Sequence, residues 1–339
     1  MNAAVVGFGV QGKRIFKALD RIPGIDKTSL IDTNSEVFKS IRNLDGVSTY
    51  ESFDKFLQQN SAELVCIATH CPSHTEIAIR SIESGTKYVM VEKPMACSIF
   101  ECEKMIAIAH EHNARLVVNN PRRYHAIYQW LREQVLSGIW GDPQCIWMQC
   151  RGIGLGCIGT HSFDLPRFLT NREIREVTAW VDNPLGNNPR GIQFVDPGGL
   201  VVLNMEGDLK AVISQIENGS GPRFFEINMS RARIHIDEKL ERIEILCRNN
   251  SDSNSSKKGG AYNEVQIPDN LSAIVNIDEL LIETINDLIN RETWNSDEIH
   301  GKISIEVLVA SYLSNINNHC PISLDSISIK DKKLYLPIT

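Results

Sequence analysis

The pattern of apolar and polar positions separates the first third of the chain from the rest. Short apolar runs, such as Leu64–Ala68 and Val89–Val91, alternate with segments whose apolar residues recur at helical spacing, as in Ile99–Ala109. Strands that alternate with helices are typical of a parallel sheet with helices on both faces. We therefore predict a doubly wound, Rossmann-type α/β domain over residues 1–120.

The remaining chain, residues 121–339, has a different period. Across Glu176–Ile267 apolar and polar residues alternate, as in Ala232–Asp237, which is typical of strands with one face on a core. Two segments, Ile277–Ile289 and Ile303–Ile316, have helical spacing instead. These patterns predict a second, α+β domain with a large, mostly antiparallel open sheet.

Two segments of the second domain lack either period. Asn183–Gly199 is rich in proline, glycine and asparagine, and we predict a long loop there that could serve as a lid over a site. Asn249–Gly260 is polar and of low complexity, which predicts a mobile hairpin tip.

A glycine motif follows the first predicted strand directly. After the apolar residues Ala3–Val6, six residues have GxGxxG spacing and precede a predicted helix: Gly7, Phe8, Gly9, Val10, Gln11 and Gly12. In a dinucleotide-binding loop the first glycine permits a tight turn, the second lets the backbone approach a pyrophosphate, and the third lets helix and strand pack closely. These six residues are therefore predicted to bind a dinucleotide, whose phosphates would face the helix N–H groups.

Asp32 ends the next apolar run, twenty residues after Gly12. At that spacing a carboxylate accepts a hydrogen bond from the adenosine ribose. Asp32 and Thr33 are thus predicted cofactor residues, and because residues 33–35 include no arginine for a 2′-phosphate, NAD is favoured over NADP. The alternative is that Asp32 only caps the following helix.

Further polar residues fall where predicted parallel strands end. Ligands of such sheets bind beyond the carboxyl ends of the strands, so these residues are expected to line one crevice: Thr69, Glu92, Lys93 and Asn120. Pro94 restricts the backbone at Lys93. Taken alone, Glu92 and Lys93 would more often be a surface ion pair, because most paired charges are structural.

His161 and Asp164 follow a glycine-rich segment, residues 152–159. A separation of three places both side chains on one helix face, and Pro166 is expected to interrupt that helix soon afterwards. The pair could be structural, but the preceding glycines let the backbone approach a ligand closely, which favours a functional reading.

Composition excludes several classes of protein. A net charge of −7 and a pI near 5.8 argue against nucleic acid or an anionic membrane as the main partner. No apolar run approaches the ~20 residues that span a bilayer. The nine cysteines form no CxxC motif, so we expect reduced thiols and no metal site. With no leader sequence before the first strand, we predict a cytoplasmic protein.

Taken together, the motifs resemble those of the Gfo/Idh/MocA oxidoreductases, the family of glucose–fructose oxidoreductase and inositol dehydrogenase. The matching residues, in chain order, are Gly7–Gly12, Thr69 with His74, Glu92-Lys93-Pro94, Arg122-Arg123-Tyr124, and Gly159-Thr160-His161 with Asp164. Because they span both predicted domains, the resemblance covers nearly the whole chain.

The resemblance implies a dehydrogenase that transfers a hydride between NAD(P) and a hydroxyl of a carbohydrate, cyclitol or sugar nucleotide. It implies that Lys93 contacts the reacting hydroxyl and that His161 accepts its proton. Thr69, His74 and Asn120 would then help bind the cofactor, while Arg123, Tyr124 and Asp164 would bind substrate. It also implies a cis Lys93–Pro94 peptide and a homodimer or homotetramer formed through the second sheet.

The chain departs from the family pattern at Cys157, which we predict to lie at the substrate site. Many relatives carry an aspartate four residues before the histidine, and a neutral thiol orients an imidazole poorly by comparison. Two alternatives to a dehydrogenase therefore stay open: a non-catalytic NAD-binding regulator, and an epimerase or glycosidase-type enzyme that retains NAD.

Overall fold

The computed structural model describes residues 1–39, 41, 44–152, 154–184, 186–216, 223–237, 242–248, 262–271, 277–290 and 296–339. Its strands are β1 (Asn2–Val6), β2 (Lys27–Ile31), β3 (Val47–Tyr50), β4 (Leu64–Ile67), β5 (Tyr88–Val91), β6 (Arg115–Val118), β7 (Pro143–Arg151), β8 (Ile174–Val181), β9 (Gly199–Met205), β10 (Lys210–Ile216), β11 (Phe224–Met229), β12 (Ala232–Asp237), β13 (Arg242–Arg248), β14 (Tyr262–Glu264) and β15 (Ile322–Ser323). Its α-helices are α1 (Val10–Leu19), α2 (Phe53–Gln59), α3 (His74–Glu83), α4 (Ile99–Glu111), α5 (Ala126–Leu136), α6 (Thr160–Thr170), α7 (Ile277–Asn290), α8 (Glu298–Ile316) and α9 (Ile329–Lys332).

The chain divides into two compact units. The first comprises residues 1–124, 276–305 and 329–339, and the second comprises residues 125–275 and 306–328. The predicted division at residue 120 differs because it leaves every C-terminal segment in the second domain.

A six-stranded parallel sheet forms the centre of the first unit, in the order β3-β2-β1-β4-β5-β6. Strand and helix alternate along the chain as predicted, so the doubly wound α/β fold is confirmed. The central strands are fully buried, as in the apolar run of β4, because helices cover both faces of such a sheet.

Helix α7 belongs to the first unit because of its apolar face. Leu281, Ile285 and Leu288 are buried in the same core as residues of β1 and α1. The hydroxyl of Tyr124 donates a hydrogen bond of 2.8 Å to the carboxylate of Asp287, and both groups are buried. Hydrophobic burial and a buried hydrogen bond thus join α7 to strands far away in sequence.

A nine-stranded sheet forms the centre of the second unit, in the order β14-β13-β12-β11-β7-β10-β9-β8-β15. Neighbouring strands are antiparallel except for β7 and β10, which are parallel, so the mostly antiparallel sheet is confirmed. One face is apolar and buried, and α6 packs against β7 and β10. The other face carries Trp147, Trp180 and Ile216, each about two-fifths exposed.

Three local expectations have different outcomes. Pro166 does not interrupt α6, which continues to Thr170 although an interior proline removes a backbone donor and crowds the preceding turn. Among its described residues, the predicted loop 183–199 contains no helix, and no strand before Gly199, the first residue of β9. Phe194 and residues 196–198 are buried, so the C-terminal part of this loop is packed, and a role as a lid stays a prediction. The predicted hairpin tip at 249–260 lies outside the described residues.

Two segments, Ser73–Glu76 and Ser98–Glu101, have the sequence spacing of a helix capping box, and they differ in the structure. Ser98 caps α4, since its hydroxyl accepts a hydrogen bond of 3.2 Å from the Glu101 N–H. Ser73 makes no such bond to α3, because its hydroxyl lies 2.7 Å from Thr69 Oγ1 and 2.9 Å from the His70 carbonyl.

Within the described residues, no helix is long and apolar enough to cross a membrane, and no group of three or more His, Cys, Asp or Glu could hold a metal ion. All nine cysteines are free thiols.

Replacing Tyr124 with phenylalanine should destabilise the first unit. The change removes the donor to the buried Asp287 carboxylate while keeping the ring, so we expect the free energy of unfolding to fall by about 1–3 kcal/mol. Urea denaturation monitored by tryptophan fluorescence measures it. The control is Tyr50→Phe, where the lost hydrogen bond with Asn60 is exposed and water replaces it; equal losses in both variants would contradict this role of Tyr124.

Candidate functional site

The turn between β1 and α1 needs two of its glycines for reasons within the protein. Gly7 has a φ of 91°, and a Cβ atom there would lie 2.7 Å from the backbone of Ala68 and Thr69. A Cβ atom on Gly12 would lie 1.9 Å from the Gly7 carbonyl oxygen. These contacts are too short for any side chain.

Gly9 is different, because no neighbouring atom lies within 4 Å of the place where its Cβ would be. It is the N-cap of α1 and contributes no side-chain hydrogen bond to the free N–H groups of the first turn. An open approach beside uncapped N–H groups is the arrangement that binds phosphate.

The other residues of the loop contribute in different ways. The Phe8 ring is buried and packs against Phe16 and Phe38, with centroids 5.9 and 5.8 Å away, so Phe8 can offer a ligand only its backbone. Val10, by contrast, is 74% exposed at the first position of α1.

Asp32, which directly follows β2, is hydrogen-bonded to the turn between β1 and α1. Its two carboxylate oxygens accept hydrogen bonds from the N–H groups of Phe8 and Asn34, at 2.7 and 2.8 Å. The helical turn that follows is capped by the Asn34 side chain, which accepts from Glu36 N–H at 3.1 Å. Since Asn34 is the cap, Asp32 retains acceptor capacity for a ribose hydroxyl. Thr33 beside it is exposed.

Glu92 is buried at the end of β5 and connects three parts of the sheet edge. Burial raises the pKa of its carboxyl group, and this effect is opposed by a 2.7 Å hydrogen bond from Asn119 Nδ2, by the charge of Lys93 and by a hydrogen bond from the Gln11 side chain. The glycine loop, β5 and β6 are therefore linked through one carboxylate. Because Glu92 is buried, it does not belong to a surface ion pair.

His74 is hydrogen-bonded to the loop that carries Lys93. Lys93–Pro94 is a cis peptide, as the resemblance implied. His74 Nδ1 lies 2.9 Å from the Pro94 carbonyl oxygen and Nε2 lies 3.1 Å from that of Thr69. Burial lowers the pKa of this imidazole. His74 thus joins the loops after β4 and β5, which is an indirect contribution to a cofactor site.

Asn120, after β6, has a buried amide donor. Its Nδ2 has no hydrogen-bond partner among the described residues, and the side chain is 4% exposed. A buried donor without a partner costs about 1–3 kcal/mol, so a ligand acceptor would satisfy it. Together with the open approach at Gly9 and the acceptor capacity of Asp32, this donor fits a dinucleotide.

Arg123 and Tyr124 lie in the helical turn after β6 and are both buried. Burial, reinforced by the negative charge of Asp287, raises the pKa of Tyr124. Because the Tyr124 hydroxyl already donates to Asp287, it serves the packing of α7.

The second unit carries the other predicted residues on or just before α6. His161 is the second residue of α6 and is partly exposed, while Asp164 is buried one turn later, as the spacing predicted. Asp164 Oδ1 lies 4.0 Å from Arg167 Nη1, and Arg167 also donates two 2.8 Å hydrogen bonds to Glu173. The charge of Asp164 therefore faces a guanidinium group on its own helix.

Asp196 is a residue that sequence reasoning missed. Its carboxylate is buried and accepts hydrogen bonds of 2.7 Å from the N–H groups of both Gly156 and Cys157. The family pattern has an aspartate at position 157. This chain has Cys157 there, and the Asp196 carboxylate contacts the backbone of that residue. No local signal in the sequence indicates a contact across 39 positions.

Replacing Glu92 with glutamine should change the pH dependence of stability. A carboxyl group whose pKa is raised on folding stabilises the folded state fully below its unfolded pKa, and that contribution is lost as the pH rises through the folded value. The Tm of Glu92→Gln relative to wild type should therefore increase from pH 4 towards pH 8.

Differential scanning fluorimetry across that pH range measures the difference. Glu83→Gln is the matched control, since Glu83 is exposed on α3. A difference in Tm for Glu92→Gln that stays constant or decreases with pH would contradict the raised pKa.

Comparison with known proteins supports the dinucleotide site. The model of the Gfo/Idh/MocA family, described as an oxidoreductase family with an NAD-binding Rossmann fold, matches residues 1–120. The chain is 26% identical to inositol 2-dehydrogenase 3 of Saccharopolyspora erythraea over 58% of its own length and 61% of that protein. It is 23% identical to myo-inositol 2-dehydrogenase of Thermotoga maritima over 75% of its own length and 80% of that protein.

Solved structures show the same fold along nearly the whole chain. An NAD-binding protein from Listeria innocua has a TM-score of 0.77 at 18% identity, with 95% of this chain and 96% of that chain covered. Levoglucosan dehydrogenase, solved in complex with NADH, has a TM-score of 0.78 at 17% identity, with 96% and 99% covered.

The family match covers residues 1–120, which contain the glycine loop, Asp32 and the cis Lys93–Pro94 peptide, and the structural likeness extends through the second unit. Residues 1–120 therefore match the NAD-binding Rossmann domain of the Gfo/Idh/MocA oxidoreductases, which identifies NAD as the cofactor.

Proposed function

We propose that this protein catalyses the reversible, NAD-dependent oxidation of a hydroxyl group on a carbohydrate, cyclitol or sugar nucleotide. The match of residues 1–120 to an oxidoreductase family supports the reaction type. The substrate class is supported by relatives named inositol 2-dehydrogenase, which this chain matches over about three-fifths to four-fifths of their length.

The observation that carries the proposal is the network around Glu92. Its hydrogen bonds to Gln11 and Asn119 join the glycine loop to the ends of β5 and β6. Lys93, the next residue, is therefore held at the edge of the sheet where the dinucleotide loop lies. An ammonium group carried by this backbone, beside a cofactor site, is suited to stabilise charge on a reacting oxygen.

Each proposed catalytic residue has a distinct role. NAD, when bound, supplies the hydride acceptor. Lys93 stabilises the negative charge that develops on the substrate oxygen, and an imidazole nitrogen of His161 accepts the hydroxyl proton, since imidazole titrates near neutral pH. Asp164 holds the substrate or orients the imidazole. Roles of Arg123, Tyr124 and Cys157 in substrate binding stay predictions from the resemblance.

The direct test is a substrate panel with purified protein and NAD. Absorbance of NADH would be followed with myo-inositol, glucose, a hexuronate and a UDP-sugar. Substrate-dependent formation of NADH supports the proposal. Tight NAD binding without turnover would indicate the regulator, and a changed product without net NADH would indicate the epimerase or glycosidase-type enzyme.

Alanine at Lys93 or at His161 should abolish most of the turnover. Loss of a charge-stabilising group or a general base typically lowers kcat by ~10²–10⁴-fold, so we expect decreases of that order in steady-state assays. Lys87→Ala is the matched control, because Lys87 is exposed at the other end of β5. Full turnover in either active-site variant would refute its assigned role.

We further propose that the protein forms a homodimer or homotetramer through the open face of the nine-stranded sheet. Support comes from Trp147, Trp180 and Ile216, which are exposed on β7, β8 and β10 although they are large and apolar. A cytoplasmic location likewise stays a prediction, which cell fractionation would check.

A glutamate at Trp147 should therefore reduce the oligomeric state. We expect light scattering after size exclusion to give a multiple of 38.1 kDa for the wild type and a smaller mass for Trp147→Glu. Ile329→Glu is the control, because Ile329 is an exposed apolar residue of the first unit. A monomeric wild-type protein would rule the interface out.

A further inference from the structure

The turn that leads into α6 is hydrogen-bonded to a segment about forty positions further along the chain. The N–H groups of Gly156 and Cys157 each donate a 2.7 Å hydrogen bond to the Asp196 carboxylate. The Leu155 N–H donates a 2.9 Å hydrogen bond to the carbonyl of Pro197. Three successive backbone donors are therefore bound by two adjacent residues.

Those donors belong to a helical segment that includes His161. The π-helical turn Gly154–Gly159 continues directly into α6, and Gly159 provides no side-chain hydrogen bond to the helix. The first N–H groups of any helix lack acceptors within the helix and need partners elsewhere. Asp196 supplies two of these partners at Gly156 and Cys157.

Close approach of Asp196 depends on a glycine. Gly154 has a φ of 31°, and a Cβ atom there would lie 2.0 Å from the Asp196 carbonyl oxygen and 2.1 Å from Oδ1. Asp196 can therefore approach this closely only because residue 154 is a glycine. The carboxylate is also close enough to Tyr312 on α8 for its charge to add to burial in raising the pKa of that phenol.

His161 lies one helical turn beyond this anchor. It is four residues after Cys157, which corresponds to roughly 6 Å along a helix axis. A displacement of the turn at Cys157 would be carried by the continuous helix to His161. Displacements on the order of 1 Å in a reacting group lower rates by up to ~10²-fold.

We propose that Asp196 is a positioning residue for His161: its carboxylate fixes the turn Leu155–Cys157 and so sets the orientation in which α6 presents the imidazole. The inference rests on the proposed function, in which His161 accepts the substrate proton. It also assigns a role to the packed C-terminal part of the loop 183–199.

The chemistry requires a carboxylate at position 196. Both of its oxygens are acceptors, whereas an asparagine of the same shape has one oxygen and one NH₂ group. In Asp196→Asn, the NH₂ group would face a backbone N–H, so one of the two hydrogen bonds is lost and the turn must shift.

Histidine NMR tests the proposal without any substrate. Protein labelled with ¹³C at histidine Cε1 would be recorded with and without NAD, and His161 would be assigned among the nine histidines with His161→Gln. In Asp196→Asn we expect the His161 signal to shift or split, while His235 and His319 of the same unit keep theirs. The matched control is Asp208→Asn, because Asp208 is exposed and has a left-handed backbone that asparagine tolerates.

Kinetics provide the second readout. With a substrate that the wild type turns over, Asp196→Asn should lower kcat by ~10–100-fold and change the KM for NAD by less than about twofold. If the wild type turns over nothing in the panel, the proposed function fails while the NMR comparison still decides the role of Asp196.

Two results would overturn the proposal. One is a His161 signal that does not change in Asp196→Asn. The other is a joint change of His161, His235 and His319 with a lowered Tm, which would make Asp196 a general structural residue. Should Asp196→Asn fail to fold, Asp196→Ser replaces it, because serine keeps one acceptor and is shorter.

Discussion

Burial of the Glu92 carboxylate is the constraint on which the cofactor-facing edge of the first unit depends. Removing a carboxylate from water is unfavourable unless donors replace the water, and here burial raises its pKa. The donors come from Gln11 in the glycine loop and Asn119 after β6. Because these groups belong to separate strand ends, satisfying one carboxylate sets the relative positions of the loops. Lys93 is held as part of the same network.

In the second unit, the buried carboxylate of Asp196 orders a turn in the same way. Its buried carboxylate accepts from Gly156 and Cys157, so the turn before α6 is set by a residue of the long loop. Cys157 is where the family pattern calls for an aspartate, and the structure brings the Asp196 carboxylate to the backbone of that same residue. In both units, a buried acid that requires several donors makes irregular backbone rigid.

Motifs could be predicted from the sequence where the contacts that they require are local. Gly7 and Gly12 are needed by contacts within one turn and its neighbouring strand, and Asp32 bonds to that same turn. Ser73 shows the limit. It has the same capping-box spacing as Ser98, yet its hydroxyl faces Thr69 and His70, because the preceding loop supplies partners that compete with the helix.

The sequence by itself determined the alternation of strands and helices, the glycine loop, and the positions of Lys93 and His161 on their elements, because these depend on spacings of a few residues. The tertiary structure alone decided that α7 completes the first unit, through Tyr124 and Asp287, 163 positions apart. It alone brought Asp196 to Cys157 across 39 positions. The physical reason is that periodicity shows which face of an element is buried but not which distant segment covers it.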